Sequence, residues 1–179
     1  MKVIYNKKLS KLPPYLFIEI DRKKKEAIEN GKDIISFGVG DPDLPTPNHI
    51  IKSIQEAVAD PTNHQYPFGV GLFSYREAVV KWYKKRFNVD LNVKEVCALI
   101  GSKEGIGHIH LGFVNPGDIV LIPEPGYPVY NTGTIFSDGI PYFMPLLKEN
   151  NFIPDLDSIP NNIIEKSKLI FVNYPNNPT

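Results

Sequence analysis

The segment Gly101–Gly105, with the sequence GSKEG, has the residue types of an anion-binding turn. It follows the apolar run Val96–Ile100, which predicts a strand, and it opens a helical stretch from Lys103 to Val114. A helix start offers unpaired backbone N–H groups and partial positive charge, so phosphate binds there readily. The pattern is neither a G-x-G-x-x-G dinucleotide fingerprint nor a Walker A loop. It therefore predicts a phosphate site at the start of this helix, while a capped helix with a solvated lysine fits the same pattern.

Four other loops carry residue types that can contact a ligand. The turn Gly38–Asp43 (GVGDPD) has glycines that let the backbone approach a small molecule closely. Tyr66 lies in a glycine-containing loop, and its phenol can donate a hydrogen bond to an anion. The segments Pro123–Tyr130 (PEPGYPVY) and Asn176–Thr179 (NNPT) each follow a predicted strand. Taken alone, each is also compatible with an ordinary turn or with packing.

Composition excludes several functional classes. Lys plus Arg and Asp plus Glu number 20 each, so no net field of one sign would hold the whole molecule to nucleic acid or an anionic membrane. No apolar run approaches a signal peptide or membrane span, and Cys97 is the single cysteine, so we expect a protein of the reducing cytoplasm. We expect no metal site, because His108 and His110 are two apart on a predicted helix and point to different faces.

Hydrophobic periodicity predicts alternating helices and strands, which is typical of an α/β fold with a mostly parallel sheet. Thr46-Pro47 predicts a cap and a first helical residue, and Ser74-Tyr75-Arg76-Glu77 predicts a capping box. Helices are expected after Pro14 to about Gly31, after Thr46 to about Ala59, from about Tyr75 to Phe87, and over 103–114 and 127–136. Strands are expected over 34–37, 96–100, 119–122, 140–143 and 169–172. Because the last strand has no following crossover helix, we expect the chain to be incomplete at its C-terminus.

In this order, these motifs resemble the fold-type I aminotransferases, the class I and II enzymes that depend on pyridoxal 5'-phosphate (PLP). Asn176–Thr179 is the most specific part, since the family ends the corresponding strand with Asn-Pro-Thr-Gly. The resemblance implies a fold-type I PLP-transferase. Residues 1–45 would form the N-terminal arm and part of the small domain, and residues 46–179 the first part of the large PLP-binding domain.

The resemblance also implies a role for particular residues. Ser102 and Lys103 would bind the cofactor phosphate, and Tyr66 would reach the phosphate of the partner subunit in a homodimer with shared active sites. Tyr127 would stack on the pyridine ring, while Tyr130 is the rival for that role and is expected in the core. Asn177 would donate to the phenolic oxygen of PLP.

The catalytic residue of the family has no counterpart among these positions. The Schiff-base lysine, the aspartate facing the pyridine nitrogen and the arginine on the substrate carboxylate are expected beyond Thr179. We therefore expect the 179 residues alone to be inactive in transamination. We also expect an exposed sheet edge to make them aggregate or stay partly unfolded.

The N-terminal arm with Tyr15 and the segment Gly101–Glu104 most resemble the LL-diaminopimelate aminotransferases, which use 2-oxoglutarate in lysine biosynthesis. This resemblance implies that Tyr15, Gly40 and Lys103 contact the amino acid or 2-oxo acid substrate. An aspartate, alanine or aromatic aminotransferase, or a PLP-dependent C–S lyase of the same fold, shares the other motifs. A catalytically inactive fragment is the third alternative.

Overall fold

The computed structural model describes residues 3–38, 40, 42–67 and 69–179. Two compact units are present, the first comprising the chain up to Leu12 together with Leu99–Thr179 and the second comprising Pro13–Ala98. In the described residues the α-helices and strands are α1 (Leu16–Glu29), α2 (Asn48–Ala59), α3 (Phe73–Phe87), α4 (Ser102–Phe113), β1 (Ile119–Glu124), α5 (Pro128–Phe136), β2 (Ile140–Pro145), α6 (Asn161–Ile164) and β3 (Ser167–Ile170). The domain boundary expected at residue 45 stays a prediction.

The first unit contains a parallel sheet in the order β2-β1-β3. Its central strand, β1, begins after the turn Asn115–Asp118, where Gly117 adopts a φ of 88° that favours glycine. Ile119 pairs with Ile140 of β2 and with Ser167 of β3. The predicted α/β class with a parallel sheet is therefore confirmed.

Side chains of β1 alternate between two apolar clusters because successive strand residues point to opposite faces. Val120 and Ile122 pack on one face with Val114 and Tyr130. The other face buries Ile119, Leu121, Met144 and Ile159. A strand buried on both faces explains why the sequence of β1 is a continuous apolar run.

Helices α4 and α5 pack closely on one side of this sheet. A Cβ added at Gly107 would lie 3.7 Å from Cγ1 of Val129, and one added at Gly133 would overlap the ring of His110. The contact positions advance together along both helices, so α4 and α5 run in the same direction. Their N-termini therefore lie at the same end.

The N-terminal segment up to Leu12, which belongs to the first unit, is bonded to the end of α5. Lys8 Nζ donates to the carbonyl oxygen of Phe136 at 2.8 Å and pairs with the Asp138 carboxylate at 2.7 Å. A cation is favourable at a helix C-terminus, where carbonyl groups are unpaired. Asp138 itself has a φ of 58°, and its carbonyl oxygen accepts from Gly117 N at 2.9 Å.

The second unit consists of α1, α2, α3 and short 3₁₀-helices at Pro61–Asn63 and Val93–Glu95. The three predicted helices of this region are confirmed. Helix α1 ends before Gly31, whose φ of 74° suits a helix stop. No helix of the described part of the chain is long and apolar enough to cross a membrane.

Two predicted strands are wrong. Residues 34–37 and 96–100 are irregular, and the only ladder-like bond of either segment within the described chain runs from Ala98 N to Val70 O at 2.9 Å. A strand needs a hydrogen-bonded neighbour along its length, and apolar composition alone does not supply one. Phe37 and Ile100 are each 93% exposed as a result.

The predicted capping box at Ser74–Glu77 is also wrong. Helix α3 already begins at Phe73, so Ser74 lies inside the first turn and no side chain caps the helix. Reciprocal capping occurs instead at the 3₁₀-helix Val93–Glu95. There Asn92 Oδ1 accepts from Lys94 N at 2.9 Å and Glu95 Oε2 accepts from Asn92 N at 2.6 Å. Helix α2 similarly begins at Asn48, one residue later than predicted, with Pro47 as its N-cap.

Candidate active site

The N-terminus of α4 has the backbone geometry of an anion site. Gly101 is the N-cap residue, with a φ of 76°, and no side chain caps the helix. Within the described chain, the amides of Ser102 and Lys103 donate no backbone hydrogen bond, and both residues are exposed. Two N–H groups, a hydroxyl and an ammonium group are therefore available at the positive end of a 12-residue helix.

The Glu104 side chain makes a hydrogen bond at this helix end. Its Oε2 accepts a hydrogen bond from Ile100 N at 2.6 Å. Ile100 is the residue just before the N-cap Gly101, so its amide is satisfied by this bond. A Glu in the first helical turn is favourable because it faces unpaired N–H groups. The carboxylate thus bonds to the amide of Ile100 and leaves the amides of Ser102 and Lys103 available to a ligand.

Tyr127 ends the short connection from β1 into α5, and Tyr130 lies in the first turn of α5. Tyr127 is half-buried and meets Tyr130 edge to face at 5.9 Å between ring centroids. Tyr130 is 5% exposed and stacks on Phe171 at 4.4 Å, and burial raises the pKa of its phenol. The expectation that Tyr130 belongs to the core is confirmed, and of the two rings only that of Tyr127 lies near the surface.

The loop after β3 carries two asparagines with different environments. Asn177 is exposed, whereas Asn176 is half-buried. Asn176 Nδ2 donates to the carbonyl oxygen of Pro125 at 3.0 Å and to Thr179 Oγ1 at 2.7 Å. The loop after β3 is thereby attached to the loop after β1.

Three of the predicted site segments lie at one edge of the first unit. Strands β1 and β3 are parallel, so the loops bearing Tyr127 and Asn177 leave the sheet at the same end. Helix α5 begins at this edge, and α4 runs alongside in the same direction, which places Ser102 and Lys103 at this end as well. The carboxyl end of a parallel sheet is where ligands bind in open α/β folds.

The remaining predicted residues lie in the second unit. Tyr66 is 81% exposed and Tyr15 is 54% exposed. Gly40 is exposed, with no heavy atom within 4 Å of an added Cβ, while Gly38 lies against α1, where a Cβ would be 3.0 Å from Ile20 Cγ2. Val39, Asp41 and Phe68 of the predicted loops lie outside the described residues.

Arg76 holds the loop that carries Tyr66. Its Nε donates to Gly71 O at 3.2 Å and its Nη1 donates to Val93 O at 3.1 Å. Gly71 has a φ of 93°, and a Cβ there would lie 2.5 Å from Cβ of Ala98. The sequence pattern did not indicate these roles of Arg76, nor those of Glu104 and Asn176. One signal could have identified Glu104, because it lies three residues after the glycine at which the helix opens.

His110 is fully buried where the last turn of α4 meets α5. Its ring stacks on Phe171 at 5.2 Å, and Nδ1 lies 3.3 Å from Gly107 O, while Nε2 has no partner among the described residues. Burial lowers the pKa of His110 below its ordinary value of 6.5, although nearby backbone carbonyls oppose this. In the described part of the chain, no group of three or more His, Cys, Asp or Glu side chains is arranged to bind a metal.

Comparison with known proteins settles the family. Residues 32–179 match the model of the family described as aminotransferase class I and II. The chain belongs to this family. Class I and II aminotransferases use PLP, and the parallel sheet with its covering helices is the fold-type I architecture of these enzymes.

Several relatives of this aminotransferase chain are similar over nearly all of its length. It is 58% identical over 176 residues to the LL-diaminopimelate aminotransferase of Aquifex aeolicus, covering 98% of this chain and 46% of that protein. It is 57% identical over 173 residues to the enzyme of the same name from Maridesulfovibrio salexigens, covering 96% and 45%. The chain thus spans about half the length of the curated relatives it matches.

Solved structures agree with the family assignment. The apo-BacF structure from Bacillus subtilis superposes with a TM-score of 0.90 at 39% identity, over 99% of this chain and 46% of that one. The alanine aminotransferase of Pyrococcus furiosus superposes with a TM-score of 0.87 at 28% identity, over 98% and 45%. The resemblance to fold-type I aminotransferases that the sequence motifs carried is therefore confirmed.

Proposed function

We propose that the full-length protein containing this chain catalyses PLP-dependent transamination between an amino acid and a 2-oxo acid. The observation that carries the proposal is the meeting of three segments at the carboxyl edge of the sheet: the N-terminus of α4, the Tyr127 turn and the Asn177 loop. Each segment offers the chemistry that one part of PLP requires.

The phosphate would be held at the N-terminus of α4. The unpaired amides of Ser102 and Lys103 and the Ser102 hydroxyl would donate to phosphate oxygens, and Lys103 would add a positive charge. Tyr66 of the partner subunit in a homodimer would add a phenolic donor. Its high exposure suits contact with another chain.

The ring would be held between Tyr127 and Asn177. Tyr127 is fixed from behind by its edge-to-face contact with Tyr130, and its ring would stack on the pyridine plane. The exposed amide of Asn177 would donate to the phenolic oxygen and so influence the charge on the ring. When bound, PLP supplies an electron sink for the amino group transfer.

The substrate pair we propose is LL-diaminopimelate and 2-oxoglutarate, in lysine biosynthesis. The support is the name shared by the relatives at 53–58% identity over nearly the whole chain. Tyr15, Gly40 and Lys103 would contact the substrate. A cytoplasmic location belongs to the same proposal, supported by the single cysteine, Cys97.

The first experiment is an amino-donor comparison with the full-length enzyme. Glutamate formation from 2-oxoglutarate is measured with LL-diaminopimelate, aspartate, alanine and phenylalanine as donors. The proposal expects LL-diaminopimelate to give the highest kcat/KM. Preference for another donor would contradict the substrate assignment, and release of pyruvate and ammonia from a sulfur amino acid without glutamate formation would contradict transamination itself.

The second experiment measures PLP affinity in the apoenzyme. Lys103→Met is expected to weaken binding by roughly tenfold, because a charge-assisted hydrogen bond contributes about 1.5–3 kcal/mol and part of it is retained by the amides. Lys94→Met, which removes a lysine charge from another exposed position, is the matched control and should leave the affinity unchanged. Equal affinities for all three proteins would contradict the role of Lys103 on the phosphate.

A further inference from the structure

The side-chain amide of Asn176 is a bridge between two loops of the candidate site. Its Nδ2 donates to Pro125 O at 3.0 Å, across a separation of 51 residues. Pro125 lies two residues before Tyr127, and Asn176 immediately precedes Asn177. The hydrogen bond therefore connects the two loops that carry Tyr127 and Asn177, the side chains proposed to hold the cofactor ring.

The backbone ladder cannot make this connection. Between β1 and β3 it ends where Phe171 N donates to Leu121 O at 3.0 Å. Prolines at positions 123, 125, 175 and 178 follow on the two segments, and proline has no N–H to donate. Among the described residues, the Asn176 amide is the next hydrogen bond that joins the two segments beyond that point.

The turn between Pro125 and Tyr127 is tight, so a movement at one end of the turn also moves the other end. A Cβ added at Gly126 would overlap the carbonyl oxygen of Pro123, so the chain folds back on itself tightly at this point. A shift of the Pro125 peptide group is therefore carried to Tyr127.

The amide is also kept in place at a cost. Asn176 Oδ1 is buried and has no hydrogen-bond partner among the described residues. An unsatisfied buried acceptor is unfavourable, and it offsets part of the stability that the two hydrogen bonds of Asn176 Nδ2 contribute. The net contribution of this amide to the stability of the fold is therefore small, which points to another reason for an amide.

We propose that Asn176 is a positioning residue, which fixes the Tyr127 turn relative to Asn177 so that both side chains meet the same cofactor ring. The inference rests on the proposed function, since it assumes that Tyr127 and Asn177 hold PLP. Asn176 would act through these two residues rather than by holding the cofactor itself.

The test uses the full-length protein with Asn176→Leu, which keeps the size of the side chain and removes both the bridge and the unsatisfied acceptor. PLP affinity is expected to fall about two- to tenfold, the equivalent of one net hydrogen bond. The pH midpoint of the bound-cofactor absorbance should move upward, because Asn177 donates less well to the ionised phenolic oxygen. The urea midpoint of the apoenzyme should stay unchanged, which a merely structural role would not allow.

Asn173→Leu is the matched control, because Asn173 lies in the same loop and makes no hydrogen bond within the described chain. It should change neither the affinity nor the absorbance midpoint. If Asn176→Leu does not fold, Asn176→Ser provides the same comparison with a smaller side chain. Unchanged affinity and absorbance in the folded variant would overturn the inference.

A multiple-substitution cycle separates this inference from the proposed function. In a Tyr127→Leu, Asn177→Ala background, Asn176→Leu should cause no further loss of PLP affinity, since nothing remains to be positioned. A further loss equal to that in the wild-type background would overturn the positioning role. If Tyr127→Leu and Asn177→Ala leave PLP binding unchanged by themselves, the assignment of the ring site fails instead.

Discussion

Val120 and Ile122 of the first unit are at most 2% exposed, whereas Ile54 and Val58 of the second unit are 58% and 66% exposed. Both pairs belong to strongly apolar patterns in the sequence. The first unit closes its pattern with its own sheet and helices, because β1 has covered faces on both sides. Apolar periodicity therefore identifies a face that needs cover, and it does not say whether the same unit supplies the cover.

The largest expected effect comes from truncating one apolar side chain in each unit of the full-length protein. Ile122→Ala should reduce the free energy of unfolding by about 2–5 kcal/mol, because it leaves a cavity in a closed core. Ile54→Ala, the same chemical change on α2, should alter it by only about 0.5 kcal/mol. Urea unfolding measures both. A loss above about 2 kcal/mol from Ile54→Ala would show that α2 is covered in the complete protein.

The next largest effect concerns the contact between α4 and α5. Gly133→Ala should destabilise the protein by about 1–3 kcal/mol, because the new Cβ overlaps the His110 ring in a closely packed interface. Gly112→Ala is the control, since a Cβ there meets no atom within 4 Å. It should stabilise helix α4 by about 0.5–1 kcal/mol through backbone entropy. Thermal melting of both variants tests the pair, and equal shifts would refute the tight crossing.

A smaller effect is the pH dependence of the free energy of unfolding that arises from His110 in the first unit. Because the folded-state pKa of His110 lies below its ordinary value of 6.5, the unfolded chain takes up the proton first as the pH falls. The stability from neutral His110 is therefore complete above about pH 6.5 and is lost as the pH falls towards the folded-state pKa. Tyr130 is the titratable side chain on the helix packed against it, and Phe171 covers its other side.

His110→Phe should flatten this pH dependence, since the ring can still stack on Phe171 and no longer titrates. His49→Phe, at an exposed position on α2, should preserve the dependence. Urea midpoints measured between pH 5 and pH 8 compare the three proteins. A wild-type midpoint that does not fall on acidification, or one that falls equally in His110→Phe, would contradict a buried neutral imidazole.

Local sequence patterns predicted the helices and strands that pack or pair with nearby segments of the chain or with other helices and strands. Helices α4 and α5 and strands β1 and β2 were predicted because each has a complete apolar period and a clear turn at its end. The segment 34–37 has the same strand-like composition and is irregular, because a strand depends on a neighbour that its own sequence does not contain.

The candidate site likewise contains residues that local sequence predicts and residues whose role depends on distant partners. Ser102 and Lys103 were predicted from the start of one helix, a feature that a few consecutive residues encode. The bridge of Asn176 was not, because its partner is the carbonyl group of a proline 51 residues away, and every residue has a carbonyl group. The burial of His110 likewise depends on Gly133, which lies on another helix.

The bond between Lys8 and the end of α5 has a consequence for synthesis. Lys8 leaves the ribosome 128 residues before its partner at Phe136. At roughly 5–20 residues per second, α5 is synthesised on the order of 6–26 s after the N-terminal segment up to Leu12. During that interval the first unit cannot fold completely, so all of the second unit is synthesised before the segment up to Leu12 can bond to α5.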